Sequence, residues 1–298
     1  MEKDQAFPTV TNVNSSGTLS WIDNLHGLPT KPPSIFLDAE RFNDGKITFL
    51  HLFIPSKNTI YRVQIDGPRS VDLSTKNSAG VSLTTILQSE PIPKVVFDVR
   101  GISKALFDQH NISLDGIRDL QLMELASRDF KQSKKYVAGF AKCVDTDIPK
   151  SNEVRKRWLE SDNVDESPLF NILGHAPRSS MRRVEVLPTL WSIYNARLHM
   201  PGKAFWLAES RWEAKSRIKA SQKPGFNVSD KKNALGPEDW YVEELREARI
   251  DDWNDELMME LRIGDLKLDE DAFWVPIQKD EEDDQDDGND DWYDDDSI

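Results

Sequence analysis

The sequence predicts an α/β fold in which a mixed five-stranded sheet is flanked by helices and followed by a helical C-terminal extension. Three successive apolar segments are separated by the turn sequences NDGK and PSKN, which favour antiparallel hairpins. Two further short strands then alternate with helical segments, and this order makes the sheet mixed. The predicted strands cover residues 34–39, 46–54, 59–65, 92–99 and 116–120.

Helical periodicity is predicted over 81–90, 102–110 and, almost without interruption, from 121 to about 262. The segment LPTLWSIYNARL carries an apolar stripe, which is typical of a helix face that packs on a core. The members of this stripe are Leu187, Leu190, Trp191, Tyr194 and Leu198. Gly236 and Pro237 stand at the expected start of one long helix that closes at Gly264, and its Trp240, Leu245 and Trp253 are expected to cap the core or meet a partner.

These features divide the 298 residues into four parts. Residues 1–33 are rich in Ser, Thr, Asn and Pro and are predicted to form an irregular leader. Residues 34–235 form the main domain, 236–265 the helical extension, and 266–298 a disordered acidic tail.

Charge is distributed unevenly along the chain. Residues 280–298 contain twelve Asp or Glu and no Lys or Arg, so subtracting them from the net charge of −14 leaves −2 for the rest. Basic residues cluster in 131–135, 153–158, 177–183 and 212–223, and such clusters form either solvated helix faces or a surface for a polyanion. The total charge therefore does not exclude nucleic acid as a partner.

The single cysteine, Cys143, cannot form an internal disulfide and has no second cysteine for a zinc site. The start of the chain lacks the basic and apolar regions of a signal peptide, and no apolar segment is long enough to span a membrane. The protein is therefore expected to be intracellular, in the nucleus or cytoplasm, without a membrane partner.

The candidate chemistry rests on carboxylates. No nucleophile motif, phosphate-binding loop or dinucleotide fingerprint is present. In SIFLDAERF, however, Asp38 and Glu40 are two residues apart, so on a strand they lie side by side. Two like charges at this spacing need solvent, a basic side chain or a divalent cation between them. Paired carboxylates are the ligands used in two-metal phosphodiester hydrolysis.

Four blocks of the chain resemble, in order, the ribonuclease D-like, fungal branch of DEDD-type 3′–5′ exonucleases. These blocks begin with SIFLDAERF at 34, IPKVVFDVRG at 92, VAGFAKCVDTD at 137 and VEVLPTLWSIYNARL at 184. The resemblance covers residues 34 to about 240 and implies a ribonuclease H-like fold. It also implies that Asp38 and Glu40 are metal-binding and catalytic residues that use Mg²⁺ or Mn²⁺.

The chain departs from this family at two of its motifs. The family continues from FDVR into Asn-Asp-Ser-Asp-Ala-Leu, whereas Ile102 stands here at the first metal-binding aspartate of that run, and Lys104 replaces another acid. In the third motif, Met181 replaces a tyrosine and Glu185 an aspartate. Glu185 is retained as the third candidate metal ligand and catalytic residue. Asp119 matches a family acid and is assigned an orienting or structural role.

Three functions follow from this pattern. The first is a nucleic-acid-binding member of the exonuclease superfamily with weak or absent hydrolysis, because Ile102 and Met181 replace residues that hydrolysis needs. Arginines beside the motifs are its candidate contacts to single-stranded or structured RNA or DNA. They are Arg41, Arg100, Arg182 and Arg183. The second function is an active metal-dependent 3′–5′ exonuclease that uses Asp38, Glu40 and Glu185.

The third function is a protein-interaction scaffold, which meets a partner through the C-terminal helix or the acidic tail. The cleft around Asp38 discriminates between these hypotheses. Binding of nucleic acid predicts basic side chains and exposed aromatic rings there, whereas a scaffold predicts a filled, apolar cleft.

Overall fold

The computed structural model describes residues 7–15, 20–41, 46–129, 131–162, 178–263, 266–268 and 274–276. A six-stranded mixed sheet has the strand order β1-β4-β3-β2-β5-β6. The strands are β1 (Thr9–Val13), β2 (Ile35–Arg41), β3 (Ile47–Ile54), β4 (Thr59–Gln64), β5 (Lys94–Val96) and β6 (Ile117–Asp119). The α/β class with a mixed sheet is therefore confirmed.

Strands β2, β3 and β4 form the predicted antiparallel meander, and β5 and β6 add in parallel beside β2. The number of strands was predicted wrongly, because β1 pairs in parallel with the outer strand β4 and makes six. This strand lies in the segment predicted to be irregular, which also contains the short helix α1 (Ser20–Asp23). The β1 sequence TVTNV has only one fully buried side chain, Val13, so its local pattern is weak.

Helices cover the sheet and account for most of the described residues after β6. They are α2 (Leu83–Gln88), α3 (Val99–His110), α4 (Leu120–Ser127), α5 (Phe140–Asp147), α6 (Glu153–Asp162), α7 (Arg178–Leu198), α8 (Ala204–Ser221), α9 (Glu238–Tyr241) and α10 (Glu243–Ile263). Helix α7 crosses β2, β3 and β5, and it also packs against α4, α5 and α6.

The core-facing stripe predicted on α7 is confirmed. Its leucines and Tyr194 are buried, and Trp191 packs against the same core. Burial of this face holds α7 on the sheet through the hydrophobic effect. As a result, the residues at the start of α7 are held over β2, where the candidate carboxylates lie.

The C-terminal extension differs from the single helix that was predicted over 236–264. Helix α9 ends at Tyr241, Val242 is extended, and α10 begins immediately after it. Trp240 is buried and its ring centroid lies 5.5 Å from that of Trp206, while Trp253 lies 5.9 Å from Phe205. The extension therefore packs on α8, and Leu245 stays exposed.

The segment predicted to be a disordered tail starts with a hairpin of two short strands, β7 (Leu266–Leu268) and β8 (Trp274–Pro276). The acidic run within 277–298 lies outside the described residues, and its disorder stays a prediction. Within the described part of the chain, no helix combines the length and apolar character that crossing a membrane requires.

Candidate nucleic-acid and phosphodiester site

Asp38 and Glu40 lie on the same face of β2, as their spacing predicts. Asp38 is paired with His51 on β3 and Glu40 with Phe49, and the strand register shifts between Glu40 and Arg41. Paired residues of an antiparallel ladder point to the same face, so the two carboxylates share a surface with these two rings. Ala39 points to the opposite face.

Asp38 is held by an arginine from helix α7. The Arg183 Nε donates a 2.9 Å hydrogen bond to Asp38 Oδ2, which also makes the pair a salt bridge. The guanidinium carbon lies 4.5 Å from the centre of the Phe140 ring at the start of α5. The aspartate side chain is 16% exposed and the arginine side chain 33% exposed. Thus Asp38 and Arg183, predicted for different roles, bind each other.

Glu40 is held by a second arginine, which comes from β4. The Arg62 Nη2 donates a 3.2 Å hydrogen bond to Glu40 Oε2, and His51 Nε2 lies 3.7 Å from the same oxygen. The Arg62 guanidinium stacks 3.4 Å over the ring of Phe49. Burial raises the pKa of the Glu40 carboxyl, and the charge and hydrogen bond of Arg62 act against that rise.

Glu185 lies in a different environment from the β2 pair. It lines a cavity of about 620 Å³ together with Arg157, Phe53 and Pro188, and its Oε2 is 3.8 Å from Arg157 Nε. Burial raises the pKa of Glu185, opposed by the charges of Arg157 and Arg182. Neither Asp38 nor Glu40 lines this cavity. Each of the three candidate carboxylates therefore has its own arginine.

The positions at which family residues are replaced do not supply other ligands. Ile102 is 4% exposed and belongs to the hydrophobic core. Met181 lies on α7, one turn before Glu185, and is partly buried. A thioether offers no proton and only a weak acceptor, so Met181 cannot orient a water as a tyrosine hydroxyl does.

Asp119 joins the ends of two strands to the helices that follow them. Its carboxylate accepts hydrogen bonds from the backbone N–H groups of Asp98, Val99 and Gln121 at 2.9 to 3.1 Å. Arg217 Nη1 donates a further bond of 3.1 Å from α8. Since the side chain is fully buried and accepts four hydrogen bonds that tie these elements together, the contacts of Asp119 are those of a structural residue.

Asp119 holds a strained backbone at Asp98, because it accepts hydrogen bonds from the N–H groups of Asp98 and Val99. Asp98 has φ of 60°, a left-handed conformation that costs energy for a residue with a Cβ. Its side chain caps α3 and binds Arg100 Nε at 2.7 Å. Burial acts to raise the pKa of Asp98, but the hydrogen bonds and charges of Arg100 and Arg217 outweigh it and hold that pKa below its usual value. The contacts of Asp98 are therefore those of a structural residue.

The four arginines predicted to contact nucleic acid lie in different places. Arg100 is buried and donates to Asp98, to Gln121 Oε1 at 3.1 Å and to the Asn233 carbonyl at 2.8 Å. Arg182 Nη1 donates to the Arg157 carbonyl at 2.9 Å, and Arg183 binds Asp38. The side chain of Arg41 lies outside the described residues. Contact of these arginines with nucleic acid stays a prediction.

The side chains around Asp38 do not fit a two-ion centre. The described residues, which include Asp38, Glu40 and Glu185, contain no group of three His, Cys, Asp or Glu side chains placed to hold a metal ion. A guanidinium already occupies an oxygen of Asp38 and of Glu40. Use of Mg²⁺ or Mn²⁺ by this chain therefore stays a prediction.

The cleft around Asp38 has the basic side chains that nucleic-acid binding predicts, but not, among its described residues, the exposed aromatic rings. Basic groups are present, because Arg183 and Arg62 lie on the two carboxylates. Phe140, beside Arg183, is buried and meets Phe97 and Trp158 edge-on, with ring centroids 5.1 and 5.0 Å apart, whereas Phe49, beside Arg62, is partly buried. A filled aromatic cluster is what the scaffold hypothesis predicts.

Sequence reasoning missed the arginine partners of the carboxylates. Arg62 is the only charged residue in the strand sequence TIYRVQ, and a charge inside an apolar strand needs a buried counter-ion. That signal was available in the sequence. Arg157 carries no comparable signal, because it is one of several basic residues in EVRKRW and only the fold brings it to Glu185.

The comparisons with known proteins place the fold. No family model matches the sequence, and no curated protein matches it. Among solved structures, RNase D of Trypanosoma brucei in complex with RNA U12 is 16% identical with a TM-score of 0.52, over 78% of each chain. Its GMP complex is also 16% identical, with a TM-score of 0.50, over 78% of this chain and 70% of that one. The nuclease NrnC of Brucella melitensis with bound Mg²⁺ is 13% identical, with a TM-score of 0.43, over 75% of this chain and 99% of that one.

The strand order, the helices on the sheet and these similarities agree on the architecture. The chain has the ribonuclease H-like fold, and it is structurally similar, at low sequence identity, to 3′–5′ exonucleases of the RNase D type.

Proposed function

We propose that this protein binds single-stranded or structured nucleic acid on an exonuclease-like fold and hydrolyses it weakly or not at all. The observation that carries the proposal is the pairing of each candidate catalytic carboxylate with an arginine. Asp38 binds Arg183, Glu40 binds Arg62, and Glu185 lies beside Arg157. These cations compensate the negative charges that metal ions would otherwise compensate.

Chemistry separates the two kinds of cation. In two-metal hydrolysis one ion lowers the pKa of a bound water and the other stabilises the leaving oxygen. A guanidinium stays protonated throughout the ordinary pH range and binds no water whose proton it could remove. It does bind phosphate well, because its planar fork matches phosphate oxygens. Replacing metal ions by arginines therefore disfavours cleavage and leaves attraction for a phosphate chain.

Nucleic acid is the proposed ligand class for two reasons. The structurally similar RNase D of T. brucei is described as a complex with RNA and as a complex with GMP. In addition, Arg183 is partly exposed at the rim of the site. RNA and DNA are both retained as ligands, since no described residue distinguishes them.

The test combines binding and cleavage on the same preparation. Purified full-length protein is mixed with 5′-labelled single-stranded RNA or DNA in Mn²⁺, and anisotropy and gel mobility are followed together. We expect retained, salt-sensitive binding and an intact oligonucleotide. A ladder that shortens from the 3′ end, and that disappears in Asp38→Ala, would establish the active exonuclease with Asp38, Glu40 and Glu185 instead.

A scaffold function is the second candidate, favoured by the buried Phe97, Phe140 and Trp158 beside Asp38 and by the exposed Leu245 on α10. Absence of binding to either oligonucleotide over the whole salt range would favour it. The next measurement would then compare Leu245→Asp with the unaltered chain in its capacity to capture a protein partner.

A further inference from the structure

A second polar cavity lies away from the carboxylates. Its volume is about 920 Å³, which is within the range of small-molecule sites. The walls come from α4, the loop that follows it, α5 and the end of α7. Its basic lining residues are Arg128, Lys142, Arg197 and Lys203, and its acidic ones are Glu124, Asp129 and Asp147.

The acidic groups in this cavity are compensated by protein partners. Glu124 receives two hydrogen bonds from Arg128, at 2.8 and 2.7 Å. Asp147 receives one from Arg197 and one from Tyr194, both at 2.9 Å. In contrast, the Lys142 side chain is exposed and makes no hydrogen bond or ion pair with the described part of the chain. The cavity therefore presents a positive charge to a ligand, in a protein whose net charge is −14.

An aromatic ring stands at the rim of this cavity on a fixed backbone. Tyr136 is 59% exposed, which is unusual for a large aromatic side chain. Its backbone carbonyl accepts a 2.9 Å hydrogen bond from Arg128 Nη1, and Tyr136 forms a β-bridge with Leu235. Lys134, two residues earlier, is buried and donates to three carbonyls at the end of α4. Because these bonds hold the backbone that carries the ring, less backbone ordering is needed when the ring binds a ligand.

We propose that this cavity binds one nucleotide unit, with the base stacked on Tyr136 and the phosphate near Lys142. Single-stranded nucleic acids are commonly bound by this combination of aromatic rings and cations. Lys135, whose Nζ lies 5.8 Å from the Tyr136 ring centre, adds positive charge beside the ring. The proposal rests on the proposed function where the unit belongs to a nucleic-acid strand, whereas a free nucleotide would offer the same base and phosphate.

Helix α5 connects this cavity with the candidate site. Phe140, at its first residue, stacks on the arginine that holds Asp38, and Lys142 and Asp147 of the same helix line the cavity. A strand that meets both regions would therefore run along α5. This geometry predicts that the two regions contribute to one binding surface.

The experiment compares two matched pairs of variants in the full chain. Tyr136→Ala is compared with Trp212→Ala, because Trp212 is also 59% exposed but lies on α8 outside the cavity. Lys142→Ala is compared with Lys76→Ala, which removes an exposed lysine elsewhere. Each variant is titrated with a labelled single-stranded oligouridylate and, separately, with free UMP, and its fold is checked by circular dichroism.

Stacking of one base on one ring predicts a Kd that is roughly 5-fold to 150-fold higher for Tyr136→Ala and unchanged for Trp212→Ala. Lys142→Ala is expected to lower the slope of log K against log salt by about 0.7, the value for one phosphate of a single strand. If the unaltered chain binds the oligonucleotide and both Tyr136→Ala and Lys142→Ala keep its affinity and salt slope, the cavity is not the nucleotide site. The proposed function would still stand.

The two ligands separate the remaining outcomes. Binding of UMP that depends on Tyr136, without binding of the oligonucleotide, would retain the cavity as a mononucleotide site and overturn the proposed function. Binding of neither ligand would overturn both.

Discussion

The ion pair between Asp38 and Arg183 gives a quantitative prediction. A double-mutant cycle of Asp38→Asn and Arg183→Met removes each charge while keeping most of the side-chain volume. The coupling free energy between the two changes isolates their interaction, provided that each single change creates no new contact.

The expected coupling follows from the geometry. Two unit charges about 4 Å apart attract by about 4 kcal/mol at an effective dielectric constant of roughly 20. Desolvation and the ordering of the side chains offset much of this attraction. Exposed pairs couple by about 0.2 to 1 kcal/mol, and breaking a fully buried pair costs about 3 to 5 kcal/mol. With exposures of 16% and 33% and an Nε to Oδ2 distance of 2.9 Å, this pair lies between those cases. We expect a coupling of about 1.5 kcal/mol, between the ranges for exposed and buried pairs.

Urea denaturation of the four proteins, followed by tryptophan fluorescence, measures this coupling. The chain provides its own control in Lys104 and Asp108, an ion pair on α3 with a distance of 2.8 Å and side-chain exposures of 27% and 50%. The same cycle on that control is expected to give about 0.5 kcal/mol or less. If the Asp38 and Arg183 coupling were no larger than the control value, the arginine would not be the counter-ion of the carboxylate, and the argument against a metal centre would fail.

Three further outcomes are expected. Ile102→Asp should lower the free energy of unfolding by about 3 kcal/mol or more, because it places an unpaired carboxylate in the core, whereas Ile102→Val should lower it by only about 1 kcal/mol. Equal urea midpoints for these two variants would show that position 102 opens to solvent. Burial raises the pKa of Glu213 from 4.5 to about 7, so the charged form of this side chain destabilises the fold, and the stability of the protein should fall as pH rises from about 4.5 to about 7. In a series of thermal melts the Glu213→Gln variant should show a flatter decline, and a pH profile identical to that of the unaltered chain would contradict this prediction. Deleting residues 280–298 should strengthen binding to nucleic acid because twelve negative charges are removed. If the tail competes with nucleic acid for the basic surface, the excised peptide added back at low salt should displace a labelled oligonucleotide from the truncated protein. Failure of the peptide to displace it, together with no effect of Trp292→Ala, would exclude that competition.

Local sequence signals account for most of the fold. The three meander strands were found because β-branched and aromatic residues run together between Gly-, Asn- and Pro-containing turns. Strand β1 was missed because its stability comes from pairing with β4, whose partner residues are fifty positions further along the chain. The break at Val242 was also missed; it directly follows Trp240, which is buried against Trp206 of another helix. Contacts of this kind have no periodic signature in sequence.

The candidate site was predictable in its carboxylates and not in their partners. The spacing of Asp38 and Glu40 required solvent, a basic side chain or a divalent cation between them, and the spacing alone did not choose among these three. The arginines that the structure provides are 145 residues from Asp38 and 22 residues from Glu40. Only the crossing of α7 over β2, which depends on the buried stripe of α7, brings Arg183 to the first of them.

The choice of cation has a consequence for stability as well as for chemistry. Carboxylates gathered for metal ions repel each other when the ions are removed, so such a site destabilises the empty fold. Here the counter-ion of each carboxylate is an arginine of the same chain, so the negative charges of the site are compensated without a dissolved ion. A chain of this kind can keep the strand geometry around Asp38 and Glu40 in the absence of divalent ions. We therefore expect a chelator to leave both its melting temperature and its binding to nucleic acid unchanged, and a fall in either would show that a metal ion stabilises the site.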